Sequence, residues 1–162
     1  MADGSTHFIS NVIMGTGLSA LAFIYFPEYA LEFATGCFIS LLVTPDLDID
    51  AITYTEELLT MIPPIGWLFR SLTYPYAILF VHRGWSHHFI VGTLSRVIWL
   101  FIVSLVIAAF VSGVAAWFGR YNDAAFFTAK AVILYMLHPA LLAGMLIQDL
   151  NHYALDGLFS EK

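Results

Sequence analysis

The residues best suited to chemistry in this chain are histidines and aspartates, which are gathered into three short polar segments. The segments read PDLDID at 45–50, HRGWSHH at 82–88 and QDLNH at 148–152, the last followed by Asp156. Charged residues make up only 11% of the sequence, so their concentration beside histidine stands out from the rest of the chain. Neutral imidazole and carboxylate together are ligands of Zn²⁺, Mn²⁺ and Fe²⁺. The three segments therefore indicate a metal site.

The third segment has helical spacing. Asp149, His152 and Asp156 follow one another at i, i+3 and i+7, which places them on one face of a helix. A carboxylate and an imidazole placed in this way can share one metal ion or hold two, and His152 and Asp156 are the favoured ligands. The alternative is an ordinary polar helix end, with Gly157 as its C-cap.

The first segment holds three aspartates, Asp46, Asp48 and Asp50, directly after an apolar stretch. Three carboxylates this close repel one another unless a cation relieves them. One alternative is the start of a helix, with Thr44 as N-cap, Pro45 at the first position and acids favoured by the helix dipole.

A second alternative for the first segment is a calcium loop of the EF-hand type. The three aspartates and Glu57 match ligand positions 1, 3, 5 and 12 of such a loop. Position 6 is Ala51, however, where the loop requires the glycine that makes its sharp turn. Calcium is therefore the weaker interpretation.

The middle segment is the densest in histidine. His82 and His87 are the favoured ligands there, and His88 points in a different direction from His87. Ser86 could cap a helix that continues to residue 97, and Arg83 could bind a phosphate or a developing oxyanion through two hydrogen bonds. The alternative is an interfacial loop whose cationic side chains face lipid headgroups.

Two further histidines stand apart from these segments. His7 is weak evidence by itself but joins the candidate ligands by its position in the topology described next. His138 lies within an apolar stretch, where an ionisable group is a functional candidate. Because Pro139 follows it, His138 is better explained by the backbone groups that a kink leaves unpaired, and it is left out of the site.

Long apolar stretches must position these residues. The chain has 162 residues, of which 60% are hydrophobic, above the roughly half typical of soluble domains. Residues 97–118 contain no charge and would span about 33 Å as a helix, enough to cross a bilayer. Residues 8–26, 29–43 and 124–147 are further candidates. We expect an all-α integral membrane bundle of about four transmembrane helices, forming one domain over residues 1–162.

The stretch 58–81 is apolar but interrupted by prolines, and it is predicted to be interfacial or re-entrant. If 8–26 pairs with 29–43, and 97–118 with 124–147, each hairpin returns the chain to its starting side. His7 and all three polar segments then emerge on one face. Arg70, Arg83 and Arg96 lie on that side and Arg120 on the other, which favours the cytoplasm.

Charge and cysteine content limit the partners. The net charge of −6 argues against nucleic acid, because no basic patch exists to neutralise phosphates. The single cysteine, Cys37, cannot form a disulfide within the chain. The expected partners are the lipid bilayer, a lipid or phosphoester substrate, and either a second copy of the chain or other subunits of a membrane complex.

The motifs TPDLD at 44–48, HRGWSH at 82–87 and HYALD at 152–156 together resemble those of the YdjM-like bacterial inner-membrane metal-dependent hydrolases. They resemble a related group of metal-binding membrane proteins still more closely, and Thr6-His7 fits the same pattern. These families are distantly similar to the helical zinc-dependent phospholipase C and nuclease fold. The ligands that the resemblance implies are His7, Asp46, Asp48, His82, His87, His152 and Asp156.

The expected function is metal-assisted hydrolysis of a lipid or lipid-linked phosphoester at the cytoplasmic face of a bacterial inner membrane. Asp48 or Asp46 would orient or deprotonate the attacking water, and Arg83 would stabilise charge on a phosphate oxygen. Zinc is the favoured metal, with manganese or iron as alternatives, in a site of one or two ions. One rival is a non-catalytic metal-binding subunit of a membrane complex. Another is a transporter or channel component, for which His138 is the support.

Overall fold

The computed structural model describes residues 4–48, 52–80, 89–119 and 123–159. Every element in those ranges is helical, which confirms the all-α prediction. These described ranges contain seven α-helices, and a short 3₁₀ helix, Pro45–Asp48, follows the second of them. The α-helices are α1 (Gly4–Tyr25), α2 (Ala30–Leu42), α3 (Tyr54–Thr60), α4 (Pro63–Leu79), α5 (Phe89–Trp117), α6 (Asp123–Met136) and α7 (Pro139–Phe159).

Two of these helices are long and apolar enough to cross a membrane, at Gly4–Tyr25 and Ile90–Trp117. The pair Lys130–Met136 and Pro139–Gly157, bent by 52°, adds a third if it is one broken span. Helix α2 is apolar but has only 13 residues, short of the roughly 20 that a crossing needs. Length and composition therefore support two or three spans, and the prediction of about four crossings is not confirmed.

The stretch 124–147, predicted as one span, is broken where α6 gives way to α7. Pro139 begins α7, where its missing N–H costs no intrahelical bond. The His138 N–H donates to the Tyr135 carbonyl (3.0 Å), and the His138 carbonyl accepts from the Leu142 N–H (3.1 Å). The kink predicted at Pro139 is confirmed. Because α7 then continues past Gly157, that glycine is not a C-cap, and the interpretation of this segment as a helix end there is wrong.

Helices α2 and α7 pack with their backbones in close contact. A Cβ atom added at Gly36 would lie 2.0 Å from the Leu141 carbonyl oxygen, and one at Gly144 would lie 2.3 Å from that of Phe33. Small residues allow such close approach between apolar helices. The contact holds the C-terminal end of α2 beside the C-terminal half of α7, so that Asp46, just after α2, lies near the polar segment 148–152.

Helices α3 and α4 form a separate pair beside this end of the bundle. Buried Glu56 accepts hydrogen bonds from Arg70 (2.8 Å) and Thr73 (3.1 Å), which join the two helices. The Thr55 hydroxyl donates to the Leu41 carbonyl (2.9 Å) and so ties α3 to the end of α2. Helix α4 is not among the candidate spans, in agreement with the prediction that 58–81 is no clean crossing.

Candidate metal centre

Three predicted ligands from opposite ends of the chain meet beside α7. His7 lies near the start of α1, while His152 and Asp156 lie one turn apart on α7. Their potential ligand atoms all lie within 4.8 Å of one another. Both imidazoles are buried, with 5% of His7 and 1% of His152 exposed, whereas the Asp156 side chain is 21% exposed. The helical stripe predicted for α7 therefore reaches His7 through His152 and Asp156.

The two imidazoles direct the same ring nitrogen at the same carboxylate. His7 Nε2 lies 3.1 Å from Asp156 Oδ1, and His152 Nε2 lies 3.6 Å from Asp156 Oδ2. The rings themselves are stacked, with their centroids 3.8 Å apart and their planes 18° from parallel. Both rings therefore present a nitrogen to the same carboxylate, which could join them in a centre of one or two ions.

Asp46 adds a fourth group from the 3₁₀ helix that follows α2. Its Oδ1 lies 3.4 Å from His152 Nε2, and its side chain is 19% exposed. Leu47 next to it packs into a buried cluster with Val43 and Tyr76, which fixes the 3₁₀ helix against α4. Pro45 begins this turn, as the helix-start interpretation predicts, but the turn also directs Asp46 at an imidazole, which is not the all-oxygen ligand set of calcium.

The spacing of these groups fits a metal ion. With metal–ligand bonds of about 2.1 Å, neighbouring ligand atoms lie about 3.4 Å apart in a tetrahedral site and about 3.0 Å apart in an octahedral one. The observed separations of 3.1, 3.4 and 3.6 Å lie close to these values. With neutral histidines, the two aspartates carry two negative charges, which one divalent cation would balance. Donor type, spacing and charge all suit such an ion.

A small cavity adjoins this cluster. It has a volume of about 20 Å³ and is lined in part by His7, Asp46, His152, Asn11 and Tyr54. A volume of this size accommodates one water molecule or one ion. It is too small for a phosphoester, so a substrate of that class would have to bind outside it.

Amide side chains hold α1 against α7 one turn below the imidazoles. The Gln148 side-chain amide donates to the Asn11 carbonyl (3.0 Å). Asn151 donates to Asn11 Oδ1 (2.7 Å) and to the Ser10 hydroxyl (2.9 Å). Because Asn11 is four residues after His7, this clamp fixes His7 relative to His152. The sequence interpretation did not include Asn11, although its spacing from His7 indicates a shared helix face.

Asp149 faces away from the cluster, in spite of its place in the α7 stripe. It forms a buried ion pair with Arg96 of α5, and both residues are 0% exposed. Arg96 is therefore a buried partner of Asp149 rather than an exposed loop charge of the kind that indicates sidedness. The sequence interpretation began the apolar span at residue 97, just after Arg96, whereas the span runs from Ile90. An arginine inside an apolar span is the signal that could have revealed this pair.

Several predicted residues lie outside what the structure describes. Asp48 belongs to the 3₁₀ helix, but its side chain is not among the described ones. The other residues in this group, all outside the described ranges, are Asp50, His82, Arg83, His87 and His88. The roles assigned to them in metal binding and catalysis stay predictions from the sequence.

Comparison with known families agrees with this donor set. Residues 2–162 match a family described as "uncharacterized metal-binding protein" (DUF2227). The chain belongs to this family. No significant match was found among curated proteins or among solved structures. Membership of DUF2227 supports the metal-binding part of the resemblance drawn from the motifs, and it leaves the identity of the metal and the YdjM-like hydrolase assignment open.

Proposed function

We propose that this DUF2227 protein is a membrane-embedded, metal-dependent hydrolase of lipid or lipid-linked phosphoesters. The observation that supports it is the convergence of His7, Asp46, His152 and Asp156 from three separate helical segments, with ligand-type spacing. Buried imidazoles and partly exposed carboxylates are the donors that hydrolytic zinc sites use. Zinc is the metal that this set favours, and manganese and iron are the alternatives.

In this proposal, different residues of the chain bind the metal, activate water and stabilise the phosphate. A bound divalent metal would supply a water molecule whose pKa is lowered towards neutrality. Asp46 is partly exposed and adjoins the small cavity, so it could orient or deprotonate water there. Asp48 shares this catalytic role in our proposal, and Arg83 would stabilise negative charge on a phosphate oxygen. His82 and His87 would complete the ligand set.

The substrate class and location follow from the apolar helices. A site that lies at the end of membrane-length helices would meet lipid headgroups more readily than soluble metabolites. We place the protein in a bacterial inner membrane with the site on the cytoplasmic face, alone, as a homo-oligomer or in a complex. Because Arg96 is buried, the proposed orientation depends on two arginines of the proposed cytoplasmic side, Arg70 and Arg83, compared with Arg120 on the opposite side.

A second candidate function is a non-catalytic metal-binding subunit of a membrane complex. The observation in its favour is the enclosure of the centre, because both imidazoles are buried and the adjoining cavity holds at most one small ligand. Structural metal sites are closed in this way, whereas catalytic sites keep an open position.

The test combines metal content and turnover in detergent-purified protein. We expect wild type to retain a stoichiometric divalent metal and to hydrolyse a member of a panel of phospholipids and lipid-linked phosphates. Asp46→Ala and His152→Ala should lose both properties. Glu57→Ala, which removes an exposed acid of α3, should lose neither and is the matched control.

Two outcomes would count against the hydrolase. Turnover that persists in variants without metal would assign the activity to a contaminant or to another site. A wild type that holds its metal firmly but turns over no phosphoester would favour the structural subunit, especially if a partner protein purifies with it.

A further inference from the structure

A fully buried charge network lies one turn beneath the candidate ligands. Asp149 of α7 receives two hydrogen bonds from Arg96, one of 3.0 Å from Nη1 to Oδ1 and one from Nη2 to Oδ2. The Ser40 hydroxyl donates to Oδ1 (3.0 Å) and the Thr93 hydroxyl donates to Oδ2. Four donors from α2 and α5 therefore satisfy one carboxylate of α7.

Arg96 also binds the chain just before Asp46. Its Nη1 donates to the Val43 carbonyl (2.7 Å), at the C-terminal end of α2, and its Nε donates to the Gly92 carbonyl (3.1 Å). Carbonyls at a helix C-terminus lack intrahelical donors, and a positive charge is favourable there. The guanidinium thus joins the end of α2 directly to Asp149 of α7.

These two attachment points are each three residues from a candidate ligand. Val43 precedes Asp46, and Asp149 precedes His152 by about 4.5 Å of helical rise. Asp46 and His152 are the pair whose ligand atoms lie 3.4 Å apart. A change in how Arg96 bridges Val43 and Asp149 would therefore alter that separation.

Stability alone is a poor explanation for this network. A buried ion pair loses so much solvation that apolar residues of similar volume often replace it without cost. A second arginine–carboxylate pair within the described ranges, Arg70 with Glu56, keeps its cation partly in solvent, with 31% of the Arg70 side chain exposed. Arg96 has no such exposure, and fixing a geometry is the best-attested benefit of a fully buried pair.

We propose that Arg96, acting through Val43 and Asp149, is the positioning residue that sets the distance between Asp46 and His152 in the metal centre. This inference rests on the proposed metal site and is independent of whether the site is hydrolytic. Outer residues that orient ligands typically change metal affinity by about 10–100-fold when they are replaced.

The experiment titrates metal-free protein in detergent with Co²⁺, whose visible absorption reports the number and geometry of its ligands. Arg96→Lys keeps the charge but cannot make the paired bonds to Asp149 together with the bond to Val43. We expect about tenfold weaker Co²⁺ binding or more, with an altered absorption spectrum. Leu141→Ala removes a fully buried apolar side chain from α7 and is the control for lost stability.

A milder variant keeps the proposal testable if Arg96→Lys does not fold. Ser40→Ala with Thr93→Val removes two donors to Asp149 and leaves the ion pair, and we expect a smaller loss of affinity with the same spectral change. The positioning role alone would be overturned if these variants, compared with Leu141→Ala at equal thermal stability, showed no larger change in Co²⁺ affinity or in the absorption spectrum. Wild-type protein that binds no Co²⁺ or Zn²⁺ would overturn the metal site and this inference together.

Discussion

The bundle of α1, α2 and α7 has a polar cluster of potential metal ligands at one end and an apolar cavity at the other. At one end His7 and His152 lie beside aspartates, in a space that holds one small ion or molecule. At the other end a cavity of about 770 Å³ is lined by aromatic and aliphatic side chains together with the imidazole of His138. The Nδ1 atom of His138 is buried and has no hydrogen-bond partner within the described part of the chain.

The difference shows what makes a buried histidine a candidate ligand. The His138 ring lies among apolar side chains, and its centroid is 6.2 Å from that of the Tyr29 ring. Among the described residues, His138 does not belong to a group of potential metal ligands with a carboxylate. His7 has a carboxylate at 3.1 Å and a second imidazole stacked on it. Convergence of several donors, rather than depth in an apolar helix, distinguishes the two ends.

The largest expected effect on metal binding comes from replacing the histidine at one end of the bundle, compared with replacing the histidine at the other end. His7→Ala should weaken Zn²⁺ or Co²⁺ binding by more than the roughly 10–100-fold typical of outer-shell changes, because a ligand itself is lost. His138→Ala should leave the metal stoichiometry and affinity unchanged. Elemental analysis and metal titration of both proteins measure this. Equal loss of metal in both variants would contradict the assignment of metal binding to the His7 end of the bundle.

A smaller effect is expected from the contact that lies between the two ends. Gly144→Ala places a Cβ atom 2.3 Å from the Phe33 carbonyl and should lower the free energy of unfolding by about 2–3 kcal/mol. Gly113→Ala on α5 meets nothing within 4 Å and should be neutral or stabilise by up to about 1 kcal/mol. Unfolding of both variants in detergent, followed by circular dichroism, gives the comparison. Similar stabilities would show that α2 and α7 do not depend on backbone contact.

The smallest effect is expected from filling the apolar cavity. Ala22→Leu adds apolar volume to its wall and should change the free energy of unfolding by about 1 kcal/mol or less. Metal affinity should stay the same, because the cavity lies at the opposite end from the candidate ligands. A fall in affinity comparable to that of Arg96→Lys would instead reveal coupling between the two ends.

Local patterns predicted those features that depend on local chemistry. The apolar runs at 8–26 and 29–43 indicated the helices observed as α1 and α2, and the Pro139 kink followed from the missing proline N–H. The i, i+4 spacing of His152 and Asp156 predicted a shared face of α7, which the structure confirms. These inferences needed only neighbouring residues on one element.

The features that escaped prediction depend on contacts distant in sequence. Asp149 lies on the same predicted helical stripe as His152. Its pairing with Arg96, 53 residues earlier in the sequence, is what gives it a different role. The Asn11 amide clamp likewise joins residues 140 apart. The number of crossings also depends on more than the length of the apolar runs: α2 has only 13 residues and the 124–147 stretch is bent, so about four crossings is not confirmed.

The separation of 149 residues between His7 and Asp156 has a consequence for biogenesis. A ribosome makes His7 well before Asp156, which follows only after α6 and most of α7 have been synthesised. An ion captured earlier could be held by only part of the cluster, so metal loading at full affinity would have to follow the synthesis and packing of α7. The proposed centre would thereby form only in chains that contain α7, because a chain arrested before α7 would lack His152 and Asp156, two of its four converging groups.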